Sequence, residues 1–582
     1  MARLRFGNGT TPGVAFGDYI HTEKLPKNRG DGSKKSYATR DLFLPLILSI
    51  AVFLLLTRVF FLQIGQGKYY RSLSDNNRIR TIVIHAPRGI IFDRFGNPLV
   101  FNVPGFREVV GGKTKLIGKD EAISLIAKGV KDLEIDSLRS YPYKDAFSHV
   151  LGYIGQISKQ ELSLPQFASH RGGDLIGEMG IEQMYENKLK GIDGKKLVEV
   201  DSKGNIIRNL GQTEVTSGEN ISLTLDLSLQ RQVFEAMKGV KKGAAIVSTP
   251  DGKILAIVSK PSFDPNLFTL GESYSVVSDS PYISVSQILL DEEYQPLINR
   301  AISGVYPPGS TFKLVVAAAG LEDKIIDENF TVEDTGILRV GNFSFSNWYF
   351  TQYGQTDGLV NVVKGIKRSN DFFFYKLAEK VGVDQISKMA QKFGLGERLG
   401  IDIFGEVKGT VPTPAWKEKV IGEQWFLGDT YHYGIGQGYV LTTPLQVNTL
   451  TQAIANGGVL YKPHILKSQK LEVRGQKFLS DETVSLIREG MIESCSTGGV
   501  AWPLFEFKIK NEKLKIACKT GTAQHGGEDT MPHAWITLFA PAEKPEIIIT
   551  VLSESSGEGS NIAAPIAKKI LEEWFGKNKL KF

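Results

Sequence analysis

A serine and a lysine three residues apart, Ser310 and Lys313, follow the turn Tyr306-Pro307-Pro308-Gly309. A serine hydroxyl is a poor nucleophile until a neighbouring base takes its proton. A lysine becomes such a base when desolvation lowers its pKa. Residues three apart on a helix share a face, and a helix N-terminus favours the negative charge of a forming alkoxide. The chemistry open to this pair is therefore acyl transfer through a covalent serine ester. The pair alone does not decide the matter. A helix cap followed by a surface lysine has the same spelling, and so short a pattern recurs by chance in 582 residues.

The elements that must position the pair can be read from the surrounding chain. Two prolines and a glycine cannot lie inside a helix, so they set its start just before Ser310, and the Ala-rich run Leu314 to Leu321 continues it as buried helix. Upstream, Asp226 caps a helix whose Leu229, Val233 and Met237 form an apolar stripe. Ala244 to Val247 and Ile254 to Val258 flank Pro250-Asp251-Gly252, a hairpin signal. Downstream, Ser369-Asn370-Asp371 precedes the aromatic run Phe372 to Tyr375. Thr443-Pro444-Leu445-Gln446 has the cap, first-turn proline and third-position glutamine of a helix start, and Asn456-Gly457-Gly458 ends that helix. Lys519-Thr520-Gly521-Thr522 follows an edge-strand pattern, Leu514 to Cys518. Two strands, Ala534 to Phe539 and Ile547 to Leu552, and an amphipathic helix from Ile562 to Trp574 complete the chain. This order predicts an α+β domain, an antiparallel sheet packed between helices.

Length allows two to four domains, and 42% hydrophobic with 23% charged residues is ordinary for a globular protein. The charge of +6 suits an anionic membrane surface, but no basic stripe with interleaved aromatics predicts a nucleic-acid site. Two cysteines, Cys495 and Cys518, argue against a disulfide-built fold and form no metal-type cluster; Cys518 reads as a small buried thiol.

Residues 1–41 are polar and aperiodic, a disordered tail. Residues 42–64 are apolar over the length that spans a bilayer, with Arg58 placed to snorkel. A cleaved signal peptide would have a shorter charged region and a small-residue cleavage site. A single uncleaved anchor is expected, with the tail inside and the bulk outside. Residues 65–220 form a β-rich module without catalytic groups. In it, Arg88-Gly89-Ile90-Ile91-Phe92-Asp93-Arg94 carries structural charge pairs, residues 113–140 read as a helix-rich insert, and Ile181, Tyr185 and Leu189 mark one short amphipathic helix. Residues 221–582 hold the domain with the serine.

Ser310-x-x-Lys313, Ser369-x-Asp371 and Lys519-Thr520-Gly521-Thr522, in that order in one α+β domain, resemble the motif set of penicillin-binding proteins and serine β-lactamases. The anchor, the Arg-Gly-x-Ile-x-Asp-Arg-x-Gly and Gly-x-x-Gly-x-Glu-x-x-Tyr-Glu segments, Asn299-Arg300-Ala301, Gly434-Ile435-Gly436-Gln437-Gly438 and Thr443-Pro444-Leu445-Gln446 resemble class B penicillin-binding proteins. The likeness runs from the anchor to about residue 575. Asp371, and Gln524 with His533-Ala534-Trp535 after the third motif, resemble the elongation-type group, penicillin-binding protein 2. The segment between Asn102 and Tyr141 is shorter than that group's head lobe, which puts regulation through the lobe in doubt.

The resemblance implies a peptidoglycan D,D-transpeptidase. Ser310 attacks the penultimate D-Ala carbonyl of a stem peptide, the terminal D-Ala leaves, and an amine of a neighbouring stem resolves the acyl-enzyme. Lys313 takes the serine proton, Ser369 relays a proton to the leaving amine, and Asp371 orients that network. Lys519, Thr520, Gly521 and Thr522 bind the terminal carboxylate of the substrate or of a β-lactam. The backbone N–H groups of Ser310 and Thr522 form the oxyanion hole, a term of about 3 kcal/mol per donor. No cofactor or metal is expected. The partners implied are stem peptides, β-lactams, the membrane and a polytopic glycosyltransferase, with D,D-carboxypeptidase side activity open. His533 reads as a packing residue; Trp348 and Tyr349 either line the groove or fill a loop.

Three rivals share parts of this pattern. A membrane-anchored β-lactamase needs a base for a deacylating water, and none stands out. A β-lactam sensor needs a cytoplasmic signalling part for which the tail has no room. A non-catalytic scaffold has no use for the complete motif trio. A division-type transpeptidase is the alternative within the family.

Overall fold

The computed structural model describes residues 43–577, apart from 111–112, 129, 131–132, 169, 202–204, 271–273, 277–279, 468–475, 510–511 and 528–529. Two compact units make up the chain. The first lies within residues 1–80 and 199–207, the second within 81–198 and 208–582. The tail expected over residues 1–41 falls outside the described residues.

In the first unit a helix, Phe43–Phe60, runs through a π-helical turn, Phe61–Gly65, to a second helix, Gly67–Arg78. The 23 residues Phe43–Gly65 are apolar and none is buried within the protein, so the span has no core of its own to face. Twenty such residues bridge a hydrocarbon core of about 30 Å. This is the expected anchor, shifted by one residue. Arg78 pairs with Glu199 in the same unit.

The N-terminal part of the second unit is built on one long strand, Pro98–Val110, which pairs antiparallel with Lys113–Ile117 and with Leu133–Ser140. Among the described residues in between, only Lys119–Ala127 is helical, so the 113–140 insert is strand-rich where helix was expected. Edge pairing to Pro98–Val110 decided the outcome over local propensity. The helix expected through Ile181, Tyr185 and Leu189 is two short pieces, Gly180–Met184 and Glu186–Leu189, broken at Tyr185. There the Tyr185 hydroxyl donates to Asp402 (2.9 Å) and Glu186 turns inward to Arg88. Arg88 is thus the structural charge pair expected. Asp93 instead holds its turn, accepting from the backbone N–H groups of Phe95 and Asn97, both at 2.8 Å.

Helix α1 (Leu227–Ala236) starts at Asp226, whose carboxylate accepts from Leu229 N. The hairpin of β1 (Gly243–Ser248) and β2 (Ile254–Lys260) follows as expected. Then come α2 (Lys313–Glu322), α3 (Val362–Arg368), α4 (Asp371–Val381), α5 (Pro444–Ala455) and α6 (Asp481–Ser494). Strands β3 (Ala517–Ala523), β4 (His533–Ala540) and β5 (Ile547–Ser553) and helix α7 (Ala563–Lys577) end the chain. The sheet has the order β2-β1-β5-β4-β3, antiparallel throughout. Side chains alternate between its faces. Ala245 and Val247 join the core shared with α1 and α7, while Ala244 and Ile246 join the core on the opposite side. Both faces are covered by helices, which is why these strands read as unbroken apolar runs. The predicted antiparallel sheet between helices is the observed fold.

The α5 helix carries the expected capping box, and all twelve of its residues are buried. Its polar side chains are matched to the sheet: Asn448 accepts from Ser248 (2.6 Å) and donates to Thr550 (3.2 Å), and Thr451 meets Thr537 (2.6 Å). A buried polar group without such a partner costs about 1–3 kcal/mol. This locks α5 against the strands that flank the site.

Candidate active site

Ser310 lies in a 3-10 turn, Gly309–Phe312, that leads directly into α2, so Lys313 is the first residue of the α-helix proper. The turn is tied down on three sides. Gly309 N donates to Gly436 O (2.9 Å), Trp535 Nε1 to Pro307 O (3.1 Å), and Tyr306 pairs with Thr442. Gly309 has φ +53°, and a Cβ there would lie 2.9 Å from Thr522 O. Gly521 makes the matching approach from β3: a Cβ would meet Pro308 O and Trp535 Cβ at 3.1 Å. Two missing side chains therefore allow the serine turn to press against the edge strand that carries Lys519 to Thr522.

Ser369 sits between α3 and α4 with φ +51°, a left-handed conformation that a non-glycine residue adopts at a cost of about 1–3 kcal/mol. It brings the side chains of two buried lysines together. Lys519 Nζ donates to Ser369 Oγ at 2.8 Å and to Thr520 O at 2.9 Å. Lys313 Nζ donates to Ser369 O (2.7 Å), to Asp371 Oδ1 (2.6 Å) and, at 3.4 Å, to Ser369 Oγ. Asp371 Oδ2 accepts from Trp348 N (3.0 Å). An ammonium offers only donors. A hydroxyl facing two ammoniums keeps its own proton free, to donate elsewhere.

Burial pushes Lys313 below the ordinary lysine pKa, with Asp371 opposing the shift. Burial also pushes Lys519 well down, aided by the neighbouring Lys313 cation and opposed by Asp371. Two cations share one carboxylate, so neutralising one lysine relieves both desolvation and repulsion. The arrangement supplies a proton acceptor and an anion-binding cation within one hydrogen-bonded group.

Of the residues singled out from sequence, Lys313, Ser369, Asp371, Lys519 and Thr520 are joined by hydrogen bonds. Thr522 is exposed beside them and accepts from Gly559 N at 3.4 Å. Among the described residues no hydrogen bond reaches the Ser310 hydroxyl, and Lys313 is turned to Asp371 rather than to the serine. Three residues were missed: Asn347, Trp348 as a backbone donor, and Asn370. Asn370 was legible as an N-cap directly before the aromatic run, and it does accept from Phe373 N (2.8 Å). Asn347 lies in an aperiodic stretch and carries no such signal.

Cys518, one residue before Lys519, is disulfide-bonded to Cys495 at the end of α6, with Cα atoms 5.9 Å apart. The free buried thiol expected there is thereby corrected: the chain distance of 23 residues hides a pairing that the α6–β3 packing brings about. His533 accepts from Ser555 N through Nδ1 (3.0 Å), packs on Tyr306 and stacks on His525 at 3.9 Å. Burial, with His525 beside it, holds its pKa at about 4, so the ring is a neutral acceptor near pH 7.

The family description "Penicillin binding protein transpeptidase domain" matches residues 243–572, and "Penicillin-binding Protein dimerisation domain" matches residues 123–223. The chain belongs to the penicillin-binding proteins. Among its relatives, the "Peptidoglycan D,D-transpeptidase MrdA" of Acinetobacter baumannii is 33% identical over 93% of this chain and 88% of that protein. The protein of the same name from Haemophilus influenzae is 30% identical over 93% and 92%. Among solved structures, penicillin-binding protein 2 of Helicobacter pylori, in complex with MreC, aligns with a TM-score of 0.73 at 29% identity, covering 85% of this chain and 98% of that one. That of Pseudomonas aeruginosa, with WCK 5153, gives 0.67 at 32% identity over 85% and 96%. The likeness to penicillin-binding protein 2 expected from Asp371 and His533-Ala534-Trp535 holds over nearly the whole penicillin-binding protein chain.

Proposed function

We propose that the chain is a membrane-anchored peptidoglycan D,D-transpeptidase of wall elongation, acting through an acyl-Ser310 intermediate. The observation that carries this reading is the buried group beside the serine turn in which Lys313 and Lys519 converge on Ser369 and Asp371 accepts from Lys313. Ser310 Oγ attacks the penultimate D-Ala carbonyl, and its proton passes to neutral Lys313. The oxyanion is held by the N–H groups of Ser310 and Thr522, the latter on the free edge of the sheet, where strand donors are unpaired. Collapse breaks the peptide bond, and the amine of the terminal D-Ala leaves with a proton delivered through the Ser369 hydroxyl. Lys519, Thr520 and Thr522 hold that residue's carboxylate. A stem-peptide amine then attacks the ester, the cross-link forms, and Ser310 regains its proton. Water in place of the amine gives D,D-carboxypeptidase side activity, and a β-lactam in place of the stem peptide gives a stable acyl-enzyme.

We read residues 65–220 as the non-catalytic pedestal and 221–582 as the transpeptidase domain. The Cys495–Cys518 bond supports a catalytic domain outside the cytoplasm, since disulfides persist in oxidising compartments. The N-terminus then lies inside. A polytopic glycosyltransferase is the partner the reading requires. A structural relative at 27% identity and TM-score 0.70, covering 94% of this chain, is titled "Structural coordination of polymerization and crosslinking by a peptidoglycan synthase complex".

The test is labelling of the detergent-solubilised protein with a fluorescent penicillin, beside Ser310→Ala, with mass spectrometry of the adduct. A long-lived adduct on Ser310 that vanishes in the variant is the expected result. Labelling that persists in the variant, or is absent from folded wild type, overturns the reading.

A further inference from the structure

Behind Asp371 lies a second buried polar group that none of the chemistry above uses. Its centre is Asp334, 2% exposed. Among the described residues no cation pairs with this carboxylate. Four N–H groups do: Gly336 N at 2.8 Å on Oδ1, and Asn347 Nδ2 (2.8 Å), Asn370 Nδ2 (2.8 Å) and Asp357 N (3.0 Å) on Oδ2. Asn347 and Asn370 are both fully buried. Asn370 Nδ2 also donates to Asp357 Oδ2 (3.0 Å), and Asp357 Oδ1 accepts from Arg368 Nε (2.9 Å).

Each carboxamide faces the catalytic group with its other end. Asn347 Oδ1 accepts from Asp371 N (3.1 Å), and the residue after it supplies the Trp348 N–H to Asp371 Oδ2. Asn370 Oδ1 caps α4, the helix that begins with Asp371, and Asn370 follows the left-handed Ser369. One carboxylate thus fixes both amides, and the two amides bracket Asp371.

We propose that Asn347 and Asn370, held by Asp334, are positioning residues for acylation: their carboxamides set the place of Asp371 and through it that of Lys313 against Ser369. The inference rests on the reading of Ser310 as the acylated nucleophile. A carboxamide presents two N–H donors and an acceptor oxygen in a single plane without carrying charge. Aspartate at either position would keep the acceptor and turn a lone pair on Asp334, while serine at 370 would keep the cap and lose the reach. A misplacement of about 1 Å in a reacting group costs about 100-fold in rate.

The experiment compares full-length wild type, Asn347→Ala, Asn370→Asp, Asn370→Ser and Asp334→Asn in detergent. It measures the fraction labelled at saturation and, by stopped flow, the rate constant of penicillin acylation and its half-saturating concentration at several pH values. Expected is full labelling with an acylation rate constant about 100-fold lower in Asn347→Ala and Asn370→Asp. The half-saturating concentration should be unchanged, and in Asn347→Ala the alkaline midpoint should move to lower pH as Asp371 leaves the lysines. Because aspartate preserves the cap, slowing in Asn370→Asp reads the end of the side chain that faces Asp334 and Asp357 and not the cap. If the variants acylate at the wild-type rate, or lose labelled fraction while the labelled molecules react normally, the group serves folding only and the proposal fails. A wild type that does not acylate at Ser310 would instead remove the functional reading beneath it.

Discussion

Two of the ionic groups that the second unit buries differ in charge balance. In the N-terminal part of the second unit, Arg88 bridges Glu182 and Glu186 (both 2.8 Å from Nη2), and Arg139 Nε reaches Glu182 at 2.7 Å. Two cations meet two anions. Burial alone would raise Glu182, but Arg139 and Arg88 outweigh it and leave the carboxylate below its ordinary pKa. At the candidate active site Lys313 and Lys519 share the single Asp371, and both lysines are pushed down. A balanced buried cluster holds its protons fixed and is structural. An unbalanced one holds a proton loosely and keeps an unspent positive field for an incoming carboxylate. Desolvation acts on both; stoichiometry separates scaffold from chemistry.

Removing a charge should therefore have opposite effects in the two clusters. Lys313→Met takes away the proposed base and is expected to slow penicillin acylation about 1,000-fold, with thermal stability little changed, since a desolvated cation is removed while Lys519 remains to balance Asp371. Stopped-flow labelling and a melting curve read both. Glu182→Gln leaves Arg88 and Arg139 buried with one acid between them, at a cost of about 3 kcal/mol or more in denaturant unfolding. The molecules that remain folded should acylate at the wild-type rate. If Lys313→Met were strongly destabilised, or Glu182→Gln slowed the labelled fraction, the contrast between the clusters would collapse.

The Cys495–Cys518 bond sharpens the same contrast at smaller scale. It ties the end of α6 to the strand of Lys519 but touches no reacting group. Cys495→Ala is expected to lower stability by about 3 kcal/mol, and reductant should shift the melting temperature of wild type but not of the variant. Acylation of the folded fraction should be unchanged in both.

What the sequence discloses follows from the range of the interactions. The Thr443 capping box, the β1–β2 hairpin and the α1 cap at Asp226 are local, and each is found where read. Ser310, Lys313, Ser369 and Lys519 were legible because their spacing carries a recognisable order. Asp334 and Asn347 were not, because an aperiodic loop gives no sign of which carboxylate will collect which amides. The Arg88–Glu182 pair spans 94 residues and the disulfide 23, and no local pattern encodes either closure. The split at Tyr185 shows the reverse failure: helical spacing was present, and a bond to Asp402 from a distant loop overrode it.

The smallest effect expected is also the most specific to an unbalanced cluster. Acylation needs one neutral lysine, so its rate should rise with pH through the midpoint of the lysine pair, below the ordinary value near 10.5. Asp371 opposes both downward shifts, because its negative charge favours the protonated amines. Asp371→Asn removes that opposition, so the midpoint should move further down in pH even as the maximal rate falls with lost positioning. The sign is the same for stability. A lysine whose folded pKa lies below its unfolded one binds fewer protons folded than unfolded, so stability should climb as pH rises from the folded midpoint towards 10.5. In Asp371→Asn that climb should begin at lower pH. A pH–rate profile on penicillin acylation, with melting temperatures over the same range, measures both. A midpoint that stays fixed or moves up would mean that Asp371 does not control the lysine protons, and the two clusters would then differ in geometry alone.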